Sequence, residues 1–574
     1  MYEELNKFEK TVFNALSLFL VLFYAYSAVL EPAATQYHRG IYVIITYILI
    51  FFLYKSKNIF MRILDYILII ASMVTISYWM YNFEVINYRT GAETQLDTII
   101  AMVGVLIGIE LARRVVGNVF VILGGLMILY GIYGAHMPDL VSHAGETFPG
   151  LCTTIFYKSD GVFGIMANVL ATYVVLFVIF GAFLKKCGAE RFFIDWPLAA
   201  VGHKIGGPAK VSVIASGFFG SVSGSAIANT VSTGAFTIPM MKKAGFKPHV
   251  AGAIEPAASI GGMFMPPIMG AGGFIMAELT GEPYSRIMLV ALFPAFMYFF
   301  SVFVMVHYEA KINNIVGEKY KMGAMELFKK EWFYTLPLVV ITIFMLTGYS
   351  PGYSAVLGLV TCLAVSWVRK DTRIKFKEFT EAAREGTINS LKIGATIGII
   401  GIIIGVLSFS GLVLTFADII IELAGGSLFL TILLIAFASL VLGMGVPVTA
   451  AYLITAVVAV PALIHLGVNP LAAHMIVYWL SQDSNITPPV CIAAFAGAAI
   501  AKANMWKTAF SAFKFAKFLY LGPFLFGYVP GFSLDGSAFD IVKAFALIIV
   551  GTYIYAYILS GHWIGYFKEK FKKG

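Results

Sequence analysis

The chain has 574 residues, 59% of them hydrophobic and only 12% charged. A soluble protein carries about 25% charged residues, so 40 Lys+Arg and 31 Asp+Glu cannot clothe a water-exposed surface of this size. The composition is that of a polytopic membrane protein; it excludes soluble enzymes and nucleic-acid binders, and the net charge of +9 reports orientation in a bilayer before it reports partners.

Runs of about 17–25 apolar residues mark candidate spans. In chain order they lie near 11–30, 41–54, 63–83, 98–111, 115–135, 161–184, 248–279, 286–308, 333–349, 352–368, 387–411, 470–501, 518–530 and 541–560. The expected fold is therefore all-α, with about 14 spans. Cys152, Cys187, Cys362 and Cys491 form no CxxC pair and read as small apolar residues in helices. His136 and His143 read as loop residues at a membrane interface.

The basic residues fix a parity. With the N-terminus in the cytoplasm and one crossing per span, all but six of the 40 Lys+Arg fall in cytoplasmic segments. Those segments include the pairs Lys55/Lys57 and Arg113/Arg114, the loops 191–210, 242–247, 311–330, 369–384 and 502–517, and the tail from Lys568. Both termini are then cytoplasmic by the positive-inside rule.

Two further apolar stretches, 208–241 and 426–465, do not fit single crossings. The first is basic on both flanks, with Lys204 and Lys210 before it and Lys242, Lys243 and Lys247 after it. A re-entrant hairpin keeps both flanks on one side. Its centre, Gly217 to Thr230, is rich in Gly and Ser and predicts a poor continuous helix. Irregular backbone at membrane depth persists only inside protein or beside a watery cavity. Ser221, Ser223, Gly224, Ser225, Asn229 and Thr230 are accordingly candidate ligand-binding residues.

The chain also repeats itself. At a shift of 222 residues Pro239, Pro248, Pro266 and Pro267 fall on Pro461, Pro470, Pro488 and Pro489, and Gly245 falls on Gly467. The second copy has Gly443, Gly445 and Thr449 where the first has Gly220–Ser225, with a one-residue slip. Lys242–Lys247 is basic while Ile464–Asn469 has no Lys or Arg, so the second copy is expected to enter from the opposite face. That makes the repeat an inverted one.

Each copy ends in a helix broken by a Pro pair, which removes two donors and frees carbonyls one turn earlier. In lipid those carbonyls need a partner, and a cation is one. Ser259, Gly261 and Gly262 precede Pro266–Pro267, with Glu255 one turn before; Asp483, Asn485 and Thr487 precede Pro488–Pro489. An ionisable residue at that depth, such as Asp483, is a functional candidate by default.

Three stretches now carry a resemblance: "GGPAKVSVIASGFFGSVSGSAIANTVSTGAFTIPMMKKAGF", "EPAASIGGMFMPPIMGAGGFIMAE" and "IELARRVVG". The chain resembles the permease of a TRAP (tripartite ATP-independent periplasmic) transporter, in particular the fused small-plus-large permease of the TAXI subclass, over roughly residues 100–525. The resemblance implies a division into a small-subunit-like region 1–112, a large-subunit-like transport region 113–530 and a last span with a basic tail, 531–574. It implies an elevator-type importer of organic acids in the inner membrane, coupled to Na⁺ and supplied by a separate extracytoplasmic binding protein. Hairpin tips and broken helices would hold substrate and ion, with Na⁺ on Ser223, Ser225, Gly443 and Thr487. No catalytic residue is expected. No Walker A sequence occurs, so no ATP site is expected. The alternative is a stand-alone organic-anion carrier. Exposure alone makes 84–97 and 136–160 candidate docking segments for the binding protein.

Overall fold

Helix-start signals in the sequence set the first elements. Asn6 opens Lys7–Val29 through a capping box with Glu9, and Thr94 opens Gln95–Val115 through a capping box with Asp97. The computed structural model describes residues 2–56 and 58–563; Lys57 and the tail from Lys568 lie outside the described residues. All the regular elements among them are helices.

Eleven helices among the described residues are long and apolar enough to cross a membrane. Ten overlap expected spans, although Phe376–Ser410 and Met505–Tyr528 begin inside the expected basic loops 369–384 and 502–517, and the eleventh, Val448–His465, is an arm of the second expected hairpin. The stretches expected near 333–349 and 352–368 form shorter helices, Leu336–Leu346 and Pro351–Ser366. Those near 248–279 and 470–501 are the two broken helices.

The N-terminal helices are tied by buried ion pairs. Glu9 is met by Arg62, Asp65 by Arg114 at 2.6 Å, and Arg114 also reaches Glu110 at 2.7 Å. Buried carboxylates are tolerated only when paired, so these contacts lock Lys7–Val29, Ile59–Tyr81 and Gln95–Val115 together. Gly108 then carries this group onto the helix Ile397–Ser410, where an added Cβ would stand 2.9 Å from Gly398 Cα.

The repeat is visible in the backbone. Ala226–Lys243 and Val448–His465 are offset by 222 residues at both ends. Pro248 and Pro470 begin the next helix in each copy, and Gly270 and Ile492 begin the one after. Pro266–Pro267 and Pro488–Pro489 are both cis, and Met269 and Cys491 both take positive φ. Each copy is thus a helical hairpin followed by a broken helix. The first hairpin pairs Gly207–Ser223 with Ala226–Lys243, and the second pairs Leu428–Leu442 with Val448–His465.

One expectation is corrected. The run from Gly217 to Ser223 is helical, and only Gly224 (φ 63°) and Ser225 leave the helix. Packing overrides the weak propensity: the small residues let this arm lie against its neighbours, and Ser221 Oγ is absorbed by Phe218 O at 2.8 Å. An added Cβ on Gly220 would stand 2.7 Å from Gly262 Cα. Gly220→Ala is therefore expected to cost about 1–3 kcal/mol by overpacking, read as a lower thermal unfolding midpoint of the purified protein. Gly217→Ala, where a Cβ meets only the Phe299 ring at 3.4 Å, should leave the midpoint near that of the parent.

Candidate functional site

The first hairpin tip is built by Gly224 and Ser225. Ser225 caps Ala226–Lys243 by accepting from Ala228 N at 3.3 Å, and Ser223 Oγ lies 3.3 Å from Ser225 O. The tip rests on the start of the second half of the first broken helix: a Cβ on Gly224 would stand 3.4 Å from Gly270 Cα. Two helix N-termini, at Ala226 and Gly270, therefore converge there. The second hairpin meets its own broken helix at the end of that helix's first half, since a Cβ on Gly443 would stand 2.6 Å from Ser484 Oγ. Gly445 supplies a positive φ of 73° at the second tip.

Asn229 is buried beneath the first tip, with its Nδ2 donating to Ser259 Oγ at 3.0 Å. Its Oδ1 has no hydrogen-bond partner among the described residues, and neither has Thr230 Oγ1. In the second copy the same holds for Thr449 Oγ1, Asp483 Oδ1 and both amide atoms of Gln482. All five side chains are buried. Native proteins leave few buried polar atoms unsatisfied, and a cluster of them calls for a ligand or water. Gln482 carries no charge, so in the sequence its ionisable neighbour Asp483 stands out and Gln482 does not. Of the other candidates, Asn485 donates to Gln482 O at 3.3 Å, and Thr487 Oγ1 pairs with the Tyr520 hydroxyl.

Tyrosine hydroxyls lie against the first Pro break. At the first break, Met263 O and Met269 O both lie within reach of the Tyr478 hydroxyl, at 2.8 and 2.5 Å. Pro267 O, at 3.1 Å, and Ile268 O face the Tyr284 hydroxyl. Each hydroxyl carries one hydrogen and so donates to one of its two carbonyls at a time. Gly261 and Gly262 serve packing there: a Cβ on Gly261 would stand 2.6 Å from the Tyr298 ring. Pro266 and Pro267 turn toward an apolar groove.

Glu255 is buried in the middle of Pro248–Gly262. Ser212 Oγ and Thr233 Oγ1 donate to its carboxyl, as do Ser216 Oγ and Thr237 Oγ1 at 2.5 Å each. No ion pair to Glu255 exists among the described residues; the surrounding oxygens are all hydroxyls.

Outside these elements, His143 is held in its loop by Tyr130 O and the Gly145 N–H, each at 3.1 Å. All four cysteines are free and buried. The described residues contain no group of three or more His, Cys, Asp or Glu able to hold a metal ion together.

Residues 102–532 match the sequence profile of a family described as "Tripartite ATP-independent periplasmic transporter, DctM component". The C4-dicarboxylate TRAP transporter large permease protein DctM of Pseudomonas aeruginosa is 23% identical over 397 residues, 67% of this chain and 92% of that one. The 2,3-diketo-L-gulonate TRAP transporter large permease protein YiaN of Escherichia coli is 24% identical over 326 residues, 55% of this chain and 74% of that one. The sialic acid TRAP transporter large permease protein SiaM of Vibrio cholerae is 24% identical over 353 residues, 60% of this chain and 80% of that one. With its paired hairpins and broken helices, this multi-pass membrane protein belongs to the DctM component family of tripartite ATP-independent periplasmic transporters, a family of transporter permeases and not of enzymes.

Proposed function

We propose that the chain is a sodium-coupled importer of small organic acids that receives its substrate from a separate extracytoplasmic binding protein. The observation that carries this reading is the set of buried polar atoms without partners on the hairpins and the second break: Asn229, Thr230, Thr449, Gln482 and Asp483. The helix N-termini at Ala226 and Gly270 favour a carboxylate there, while the unpaired oxygens, the tip residues Ser223, Ser225 and Gly443, and Thr487 at the second break suit Na⁺. Each positive charge carried inward in excess of the substrate's negative charge gains roughly 2.3 kcal/mol per 100 mV; no ATP is needed. The two hairpins are re-entrant and inverted, and they carry the site across the membrane as an elevator. Residues 1–112 serve as the small subunit of a TAXI-type fused permease, 113–530 as the transport region, and 531–574 as a last span with a basic tail. Both termini face the cytoplasm across the inner membrane, and the exposed segments 84–97 and 136–160 receive the binding protein.

In proteoliposomes supplied with the cognate binding protein, Ser223→Ala combined with Ser225→Ala is expected to lower sodium-dependent uptake at least tenfold while membrane expression stays intact. Undiminished uptake would remove the first hairpin from the mechanism. Asp483→Asn should shift the sodium titration of uptake; an unchanged titration assigns Asp483 a structural role. Full uptake without any binding protein would favour the stand-alone carrier.

Glu255 favours a second reading of the coupling ion. Its carboxyl is buried among the hydroxyls of Ser212, Ser216, Thr233 and Thr237 with no ion pair among the described residues, and a proton would neutralise the charge there. Under this reading an inward proton gradient drives uptake without sodium, and Glu255→Gln abolishes that dependence. Uptake that needs sodium and ignores the gradient would exclude it.

A further inference from the structure

Alongside the first hairpin runs a groove of about 750 Å³ that the reading above does not use. Val213 and Ile214 of the hairpin form one wall and Phe296, Phe299, Phe300 and Phe303 of Tyr284–Ile312 another, with Leu336–Leu346 closing the third side. Its far end reaches Ser221 and Pro266. Val213 to Ser221 spans about 12 Å of helix at 1.5 Å per residue. A hydrophilic organic acid has nothing to bind along such walls.

At the near end both walls run on into basic side chains. Lys210 stands one turn before Val213–Ile214, and His307 one turn after Phe303. Lys210 is only 6% exposed; its Nζ donates to His307 Nδ1 at 3.0 Å and lies 5.0 Å from the Phe303 ring centre. Because Nδ1 accepts, the ring hydrogen sits on Nε2, which makes His307 a second donor. Lys204 and Lys311 add positive charge on either side. The nearby carboxylates are engaged elsewhere, Glu309 with Lys514 at 3.6 Å and Glu318 with Lys243 at 3.4 Å. Lys210 is thus a buried ammonium without a described carboxylate partner, a condition that calls for an anion.

We propose that this groove is a specific site for an anionic phospholipid, its phosphate held by Lys210 and His307 and one acyl chain lying along the phenylalanine wall toward Ser221 and Pro266. Basic pockets between membrane helices take lipid head groups, and here the apolar walls continue directly from the basic mouth. The lipid braces the first hairpin against Tyr284–Ile312.

Native mass spectrometry of the full chain, delipidated in detergent and incubated with equal amounts of phosphatidylglycerol and phosphatidylcholine, tests the assignment. The expected result is at least tenfold preferential retention of phosphatidylglycerol, reduced to the phosphatidylcholine level by Lys210→Gln. Lys210→Arg should retain the preference, and His307→Ala should weaken it severalfold, so the test stands even if Lys210→Gln fails to fold. Millimolar glycerol 3-phosphate, which has the head-group phosphate and no acyl chain, should displace little lipid. Equal retention of the two lipids by the parent chain would overturn the proposal. So would an undiminished preference in a folded Lys210→Gln, or complete displacement by glycerol 3-phosphate, which would reduce the site to a free-anion pocket. None of these readouts depends on transport.

Discussion

A helix that breaks inside hydrocarbon must find donors for the carbonyls it releases, because no water is there to supply them and each unpaired group costs several kcal/mol. At the first break these donors come from tyrosines. Tyr478 serves the carbonyls of Met263 and Met269, and Tyr284 those of Pro267 and Ile268. Tyr478 belongs to the second copy of the repeat and the break it serves to the first. The first break is therefore stable only while the two copies are packed together. Gly272 completes the arrangement, since the Tyr478 ring occupies the place where its Cβ would stand.

The same constraint explains what could be read from the sequence. Proline acts locally: it fixes its own φ and removes its own donor, so the spacing of Pro266–Pro267 and Pro488–Pro489 announces two breaks without knowledge of the fold. The partner of a freed carbonyl is not local. Tyr478 is 215 residues from Met263, and nothing in its neighbourhood marks it as anything but a core aromatic. Glycine was ambiguous for a related reason. In isolation Gly217 and Gly220 weaken a helix, but against Gly262 the absence of a side chain is what lets two helices touch. Glu255 was open in the sequence because a glutamate eight residues into a helix fits near an interface or at the centre; four hydroxyls from two other helices decide it.

The two copies share a frame and divide the chemistry. Hairpin arm and broken helix begin at matching positions in both, yet the polar side chains do not match. Glu255 falls opposite Val477, and Asn229 opposite Ala451. The first copy buries a carboxyl among hydroxyls; the second leaves Gln482 and Asp483 unpaired beside its break.

Why the frame survives this divergence follows from where the copies make contact. At the 222-residue offset Gly261 and Gly262 correspond to Asp483 and Ser484. Gly262 lies against Gly220 of the first hairpin and Ser484 against Gly443 of the second. In both, the hairpin contributes a glycine at the contact and the broken helix contributes whatever stands at the end of its first half. The glycine on the hairpin side fixes the close approach, because a Cβ there would collide in either copy. On the helix side the copies differ: the first needs a second glycine, because a Cβ on Gly262 would collide with Gly220 Cα, while the second holds a serine preceded by a buried aspartate. Close packing in one copy and buried, unpartnered polar atoms beside it in the other are two uses of one backbone position.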